Sequence, residues 1–181
     1  YHLKKYASVK LGFPVVKETP YALTCDLRPA FGVVFEEFLR GYDFFGWTDL
    51  DVVWGNLVQW LTPDNLACFD ILTSVSWRIH GPLTVLRNSP YVNSLYRKDT
   101  TGALQAPEHR EFDQQGFTQI VKDLPAFRLR VNGATNDAND WPTLGYSCRL
   151  QGNDLWEVDE KGEDVRPLLI YHFQRIKRWP L

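Results

Sequence analysis

Asp49 and Asp51 stand either side of Leu50 inside an apolar, aromatic run, DFFGWTDLDVVWGNL. In an extended strand alternate side chains share a face, so the two carboxylates project together and could grip one hard divalent cation along with the oxygens of a phosphate. Two buried anions without a cation would be costly: like charges that close raise one pKa or recruit a metal. A bare acid-x-acid triplet is commonly a solvated turn, but the flanking FFGW and VVW place this one at the end of a buried strand. His172 closes the apolar stretch LLIYH. A neutral imidazole there can add a nitrogen ligand to a borderline metal such as manganese, and the following cations Arg175, Lys177 and Arg178 could neutralise a diphosphate. The plain alternative for that segment is a strand end with a solvated basic tail.

The elements that must position these groups read as an α/β pattern. A short amphipathic helix is expected over Leu3 to Leu11, stopped by Gly12 and Pro14. After a turn at Pro20-Tyr21, CDLRPAFGVVFEEFLRGYD reads as a loop and then a helix, with Pro29 in its first turn and Gly41 at its end. The run through Asp49 and Asp51 reads as one buried strand. Thr62-Pro63-Asp64 signals a helix start, DILTSVSWRI and LTVLRN read as strands, and PYVNSLYRK as a short helix. Residues 99–111 are loop-like, FDQQGFTQIVKDL is helical in pattern, and 132–142 is rich in turn formers. DLWEVDEKGEDV reads as a hairpin turning near Lys161-Gly162, and RPLLIYHFQRIKRWPL as a strand running into a basic tail. Strands alternating with helices give an α/β domain.

Composition bounds the function. The 181 residues are 44% hydrophobic and 23% charged, enough for one sizeable core. A net charge of −2 removes the electrostatic footprint of a nonspecific nucleic-acid binder. Cys25, Cys68 and Cys148 are odd in number and widely spaced, so neither a disulfide framework nor a thiolate zinc site is indicated, and a reducing cytoplasm fits. No run approaches the ~20 apolar residues of a membrane span, although the basic tail could touch the inner face of a membrane peripherally. The sequence contains no methionine, which suggests a chain that starts inside a longer one.

Taken together, CDLRPAFGVVFEEFL and GYDFFGWTDLDVVWGNL resemble the acid-x-acid region of GT-A glycosyltransferases. The likeness is closest to a bacterial family of polysaccharide-type enzymes with the pattern CDxxPAxG, GYDFxGxxDxD, a GxxTxxRN element and a C-terminal HFQ. HFQRIKRWP also echoes the terminal HxxGxxKPW of glycogenin-like retaining enzymes, with Arg175 in place of the glycine. The resemblance implies a Rossmann-related mixed sheet flanked by helices. It also implies a single domain over 1–181 that is the C-terminal part of a larger GT-A domain and lacks the N-terminal nucleotide-binding portion.

By position, the resemblance assigns Asp49, Asp51 and His172 to a manganese or magnesium ion, with Asp49, Arg28 and Lys177 facing the donor. Asp113 and Gln114 fall where glycogenin-like enzymes place an acidic pair beside the donor sugar. The implied reaction moves a sugar from a nucleotide diphosphate donor, by analogy a UDP-sugar, to a glycan acceptor hydroxyl in polysaccharide assembly. Glu111 and Asp70 are further acids that could position the acceptor, and the His80-Gly81-Pro82 turn could wall the sugar. Trp47, Trp54, Trp77 and Tyr96 could stack on sugar rings, with core packing as the default for such large apolar groups. Two rivals remain: a haloacid-dehalogenase-like phosphohydrolase with Asp49 as nucleophile and Asp51 as acid/base, and a non-catalytic glycan-binding or scaffold domain of the same fold.

Overall fold

The computed structural model describes residues 2–75, 78–122, 124, 129–131, 135–137, 147–159 and 161–172. Helix α1 (His2–Leu11) forms as its sequence pattern predicts and buries Ala7 and Leu11. The next segment departs from expectation. Thr19 accepts a hydrogen bond from the Ala22 N–H and Pro20 occupies the first turn, so Pro20 opens α2 (Pro20–Leu27) where a turn and loop were expected. A 3-10 turn (Arg28–Ala30) leads into α3 (Phe31–Val34) and α4 (Glu36–Leu39), two short pieces in place of one helix because Phe35 leaves helical geometry at φ −109°, ψ 22°.

The acid-bearing run is also divided. Strand β1 (Phe44–Thr48) ends before Asp49, residues 49–51 turn, and β2 (Val52–Trp54) joins a different sheet. Helix α5 (Pro63–Cys68) is capped by Thr62 as its sequence signals, and β3 spans only Ile71–Thr73. Strand β4 (Leu83–Arg87), α6 (Pro90–Ser94), a π-helical turn (Phe112–Gly116) and α7 (Phe117–Lys122) follow the predicted pattern. Strands β5 (Leu129–Val131) and β6 (Thr135–Asp137) come next, the latter inside the stretch expected to be loop. Strand β7 (Ser147–Gln151) forms where no strand is expected and joins the expected hairpin of β8 (Asp154–Val158) and β9 (Asp164–Leu168). The one strand expected from Arg166 to His172 is divided between β9 and β10 (Ile170–His172), which carries the histidine.

The molecule is therefore mixed α/β, built on small sheets ordered β1-β4-β3-β5, β2-β10-β6 and β7-β8-β9. Pairing is antiparallel except for β3 with β5 and β10 with β6. Strands β1, β3 and β4 of the first sheet carry apolar side chains on both faces, each face covered by other elements. Phe45, Trp47, Ile71 and Leu86 pack under α6 and α7, whereas Leu72 and Leu83 pack on the other side with Trp60, Leu169 and Ile170. Phe112 leaves the π-helical turn to join a helical core of Ala7, Leu11, Leu27 and Val34. Burying each large apolar side chain of this kind stabilises the fold by roughly 1.5–3 kcal/mol. Among the described residues no helix is long and apolar enough to cross a membrane.

Candidate metal centre

Two junctions bring the predicted ligands together. The 49–51 turn is pinned where the Asp49 N–H donates to the Pro82 carbonyl at 3.3 Å, and β10 pairs antiparallel with β2 so that His172 lies opposite Val52. Imidazole Nε2 of His172 then stands 3.6 Å from Asp49 Oδ2 and 3.4 Å from Asp51 Oδ2. One ligand atom from each of the three lies within 4.8 Å of the others. Neighbouring ligands of an octahedral ion bound at roughly 2.1 Å stand roughly 3 Å apart, so a small inward shift would close this set on magnesium or manganese. The histidine is buried while the acids are partly open, which leaves the remaining coordination positions facing the cleft.

Arg28 organises this centre from behind. Its Nη2 donates to Asp49 Oδ1, leaving Oδ2 turned toward His172, while Nη1 donates to Asp113 Oδ2 at 2.8 Å and to the Gly81 carbonyl at 3.2 Å. Burial opposes the charge on this guanidinium, but the Asp49 and Asp113 carboxylates outweigh it and hold the Arg28 pKa above its ordinary value. Asp113 has no exposed surface, and its Oδ1 has no hydrogen-bond partner among the described residues. Burial pushes its carboxyl up to about 7 against the pull of Arg28.

A second group, Asp26, His109 and Asp113, also has ligand-like spacing. Asp26 is already saturated: Oδ2 accepts from Lys17 Nζ at 2.5 Å and from the Arg110 N–H at 2.9 Å, and Oδ1 from the Phe112 N–H at 2.8 Å. With Lys17 supplying the opposite charge, Asp26 fixes the loop before Asp113.

The acids open into a cleft of about 650 Å³. Arg28, Asp49, Asp51, Gln114 and His172 all line it, whereas Asp113 lies beneath its floor. Gln114 is seated over Gly81, where a Cβ would come within 2.9 Å of Nε2, so the glycine makes room for the amide. Glu111 also faces the cleft and holds φ 52°, a left-handed backbone uncommon for a residue with a side chain. Asp70 is elsewhere, paired with Arg87 at 2.7 Å. His80 is buried against Ser74, so its turn contributes the Gly81 carbonyl and Pro82 rather than its imidazole. Trp47 and Tyr96 are buried, Trp54 is half exposed, and Trp77 and Lys177 lie outside the described residues.

Sequence reasoning missed Tyr21, Cys25, Arg78 and His109, all of which line the cleft. Tyr21, Cys25 and Arg28 recur at helical spacing, a signal hidden when Pro20-Tyr21 is read as a turn. Burial pushes the Tyr21 hydroxyl up to about 12 and the Cys25 thiol up to about 11, so neither is an anionic nucleophile near neutral pH. The Tyr21 ring meets His109 edge-on with centroids 4.8 Å apart.

The model of DUF6625, a family of unknown function, matches residues 1–149, and the chain belongs to that family. The matched span contains Arg28, Asp49, Asp51, Asp113 and Gln114 and ends before His172. No curated protein and no solved structure matches the chain.

Proposed function

We propose that this DUF6625 member is a metal-dependent glycosyltransferase of GT-A type that moves a sugar from a nucleotide diphosphate donor, by analogy a UDP-sugar, to a glycan acceptor. The observation that carries the reading is the convergence of Asp49 and Asp51, from the turn between β1 and β2, with His172 at the end of β10, at a polar cleft. The residues fit a hard divalent cation: two carboxylates and one imidazole, with Asp49 oriented as a ligand by its own hydrogen bond to Arg28. A manganese or magnesium ion bound there would supply Lewis acidity toward a departing diphosphate.

The chain's own groups divide the remaining work. Asp113 holds Arg28, Arg28 holds Asp49, and this chain keeps the metal-facing carboxylate oriented in the absence of substrate. Fixed orientation of charge lowers the reorganisation needed when negative charge develops on the leaving group. Gln114, beside Gly81 and Arg28, presents a neutral amide to the cleft, suited to sugar hydroxyls, which both donate and accept. Arg28, expected to face the donor, lines the cleft and also pairs with Asp49 and Asp113. The phosphohydrolase alternative requires Asp49 as an attacking nucleophile, a role that the Arg28 contact on one oxygen and the shared facing of Asp49 and Asp51 toward His172 serve poorly.

Calorimetric titration of UDP with and without manganese tests the proposal. Wild type should bind UDP only with the metal, and an Asp49→Ala/Asp51→Ala double variant should lose that binding by at least about 100-fold. Metal-independent binding, or equal binding by the double variant, would overturn it.

A further inference from the structure

Of the described tryptophans in the acid-bearing run, Trp47 is buried but Trp54 keeps half its surface in solvent. Its indole N–H is already used, donating at 3.2 Å to Thr48 Oγ1, and Thr48 lines the cleft beside Asp49. The hydrogen bond restrains the ring while half of its surface stays exposed. Leaving a large aromatic surface wet forfeits stabilisation that burial would give, and rigid aromatic groups of this kind are favoured as binding surfaces because little side-chain entropy is lost on contact.

The position of the ring ties it to the metal centre. Trp54 follows Asp51 by three residues, a span of roughly 10 Å in extended chain. Its strand, β2, pairs with the strand that carries His172, with Trp54 opposite Ile170 and His172 opposite Val52. The strand that carries the ring is thus paired with the strand that carries the histidine ligand. Leu50, fully exposed at the tip of the same turn, extends the apolar rim.

We propose that Trp54 is the stacking platform for a pyranose ring of the acceptor glycan, placed outside the metal centre on the rim formed by residues 48–54. The inference rests on the glycosyltransferase reading for the word acceptor, and it commits to a sugar because the adjoining cleft is walled by polar groups, among them Thr48, Glu111 and Gln114, suited to hydroxyls. The C–H face of a pyranose ring would cover the exposed indole, and its hydroxyls would turn toward those polar groups.

An array of immobilised gluco-, galacto- and manno-oligosaccharides tests this, with the manganese–UDP titration run on the same protein. Wild type should bind at least one oligosaccharide. Trp54→Ala should weaken that binding roughly tenfold or more, and Trp54→Phe should retain part of it, since the smaller ring still offers a face. Both variants should keep wild-type UDP affinity, because the ring stands outside the metal centre. Equal oligosaccharide binding by Trp54→Ala, or no binding to the array by wild type, would overturn the platform whatever the UDP titration gives. Trp54-dependent oligosaccharide binding without UDP binding would uphold the platform as a glycan site and overturn the donor reading instead.

Discussion

Asp113 is a carboxyl with no exposed surface. Burial raises its pKa from 3.8 to about 7, although Arg28 pulls the other way. Between those values the folded chain holds a proton that the unfolded chain has released, so the stability from this group is complete below about pH 4 and is lost as pH rises through about 7. Asp113→Asn resembles the protonated form at every pH. The melting temperature of wild type minus that of the variant should therefore fall steadily from pH 4 to pH 8. Parallel curves would mean that the carboxylate is already ionised throughout, with Arg28 dominant over burial. The same substitution should loosen Arg28 and lower metal-dependent UDP affinity by several-fold, a smaller loss than removing a ligand itself causes.

At the scale of elements, the loop that delivers Asp113 and Gln114 is anchored by one buried ion pair. Lys17 and Asp26 have no exposed side-chain surface, and Asp26 also receives the Arg110 and Phe112 N–H groups. Asp26→Ala should cost about 3–5 kcal/mol in urea unfolding, because it strands a buried ammonium and releases backbone donors together. A loss below about 1 kcal/mol, the value of a surface pair, would show that the pair is hydrated in solution. None of this network is readable from the sequence, since Lys17, Asp26 and residues 108–112 meet only through tertiary packing. By contrast, the helix start at Thr62, the short helix from Pro90, the helix expected over Leu3 to Leu11 and the turn near Lys161-Gly162 are legible because each depends on a few adjacent residues. Asp49, Asp51 and His172 were legible as candidates by residue type and apolar flanks. The reason they meet was different from the one expected: a turn between two sheets, and not alternation along one strand, aims both acids at the histidine.

At the scale of the molecule, the metal centre depends on sheets that have to stay in register with one another, and Gly55 is a point of close approach between them. Its N–H donates to the Leu169 carbonyl at 2.8 Å, linking β2 to the segment that leads into His172. A Cβ at this position would stand 2.3 Å from the Leu168 carbonyl oxygen and 3.0 Å from Leu155 Cβ, so Gly55→Ala has to push the hairpin sheet and the start of β10 away from β2. Overpacking of this kind costs about 1–3 kcal/mol, and here the displaced backbone also carries a metal ligand. Gly152→Ala is the appropriate contrast, because Gly152 sits at φ +63° with nothing within 4 Å of an added Cβ. That change should destabilise by about 1–2 kcal/mol through backbone strain alone. Manganese titration should therefore separate two variants of similar stability, with Gly55→Ala binding the ion several-fold more weakly and Gly152→Ala binding it as wild type does. If the two bind alike, the hairpin sheet and the metal centre are mechanically independent, and the pairing of β2 with β10 holds His172 in place without help from the packing behind it.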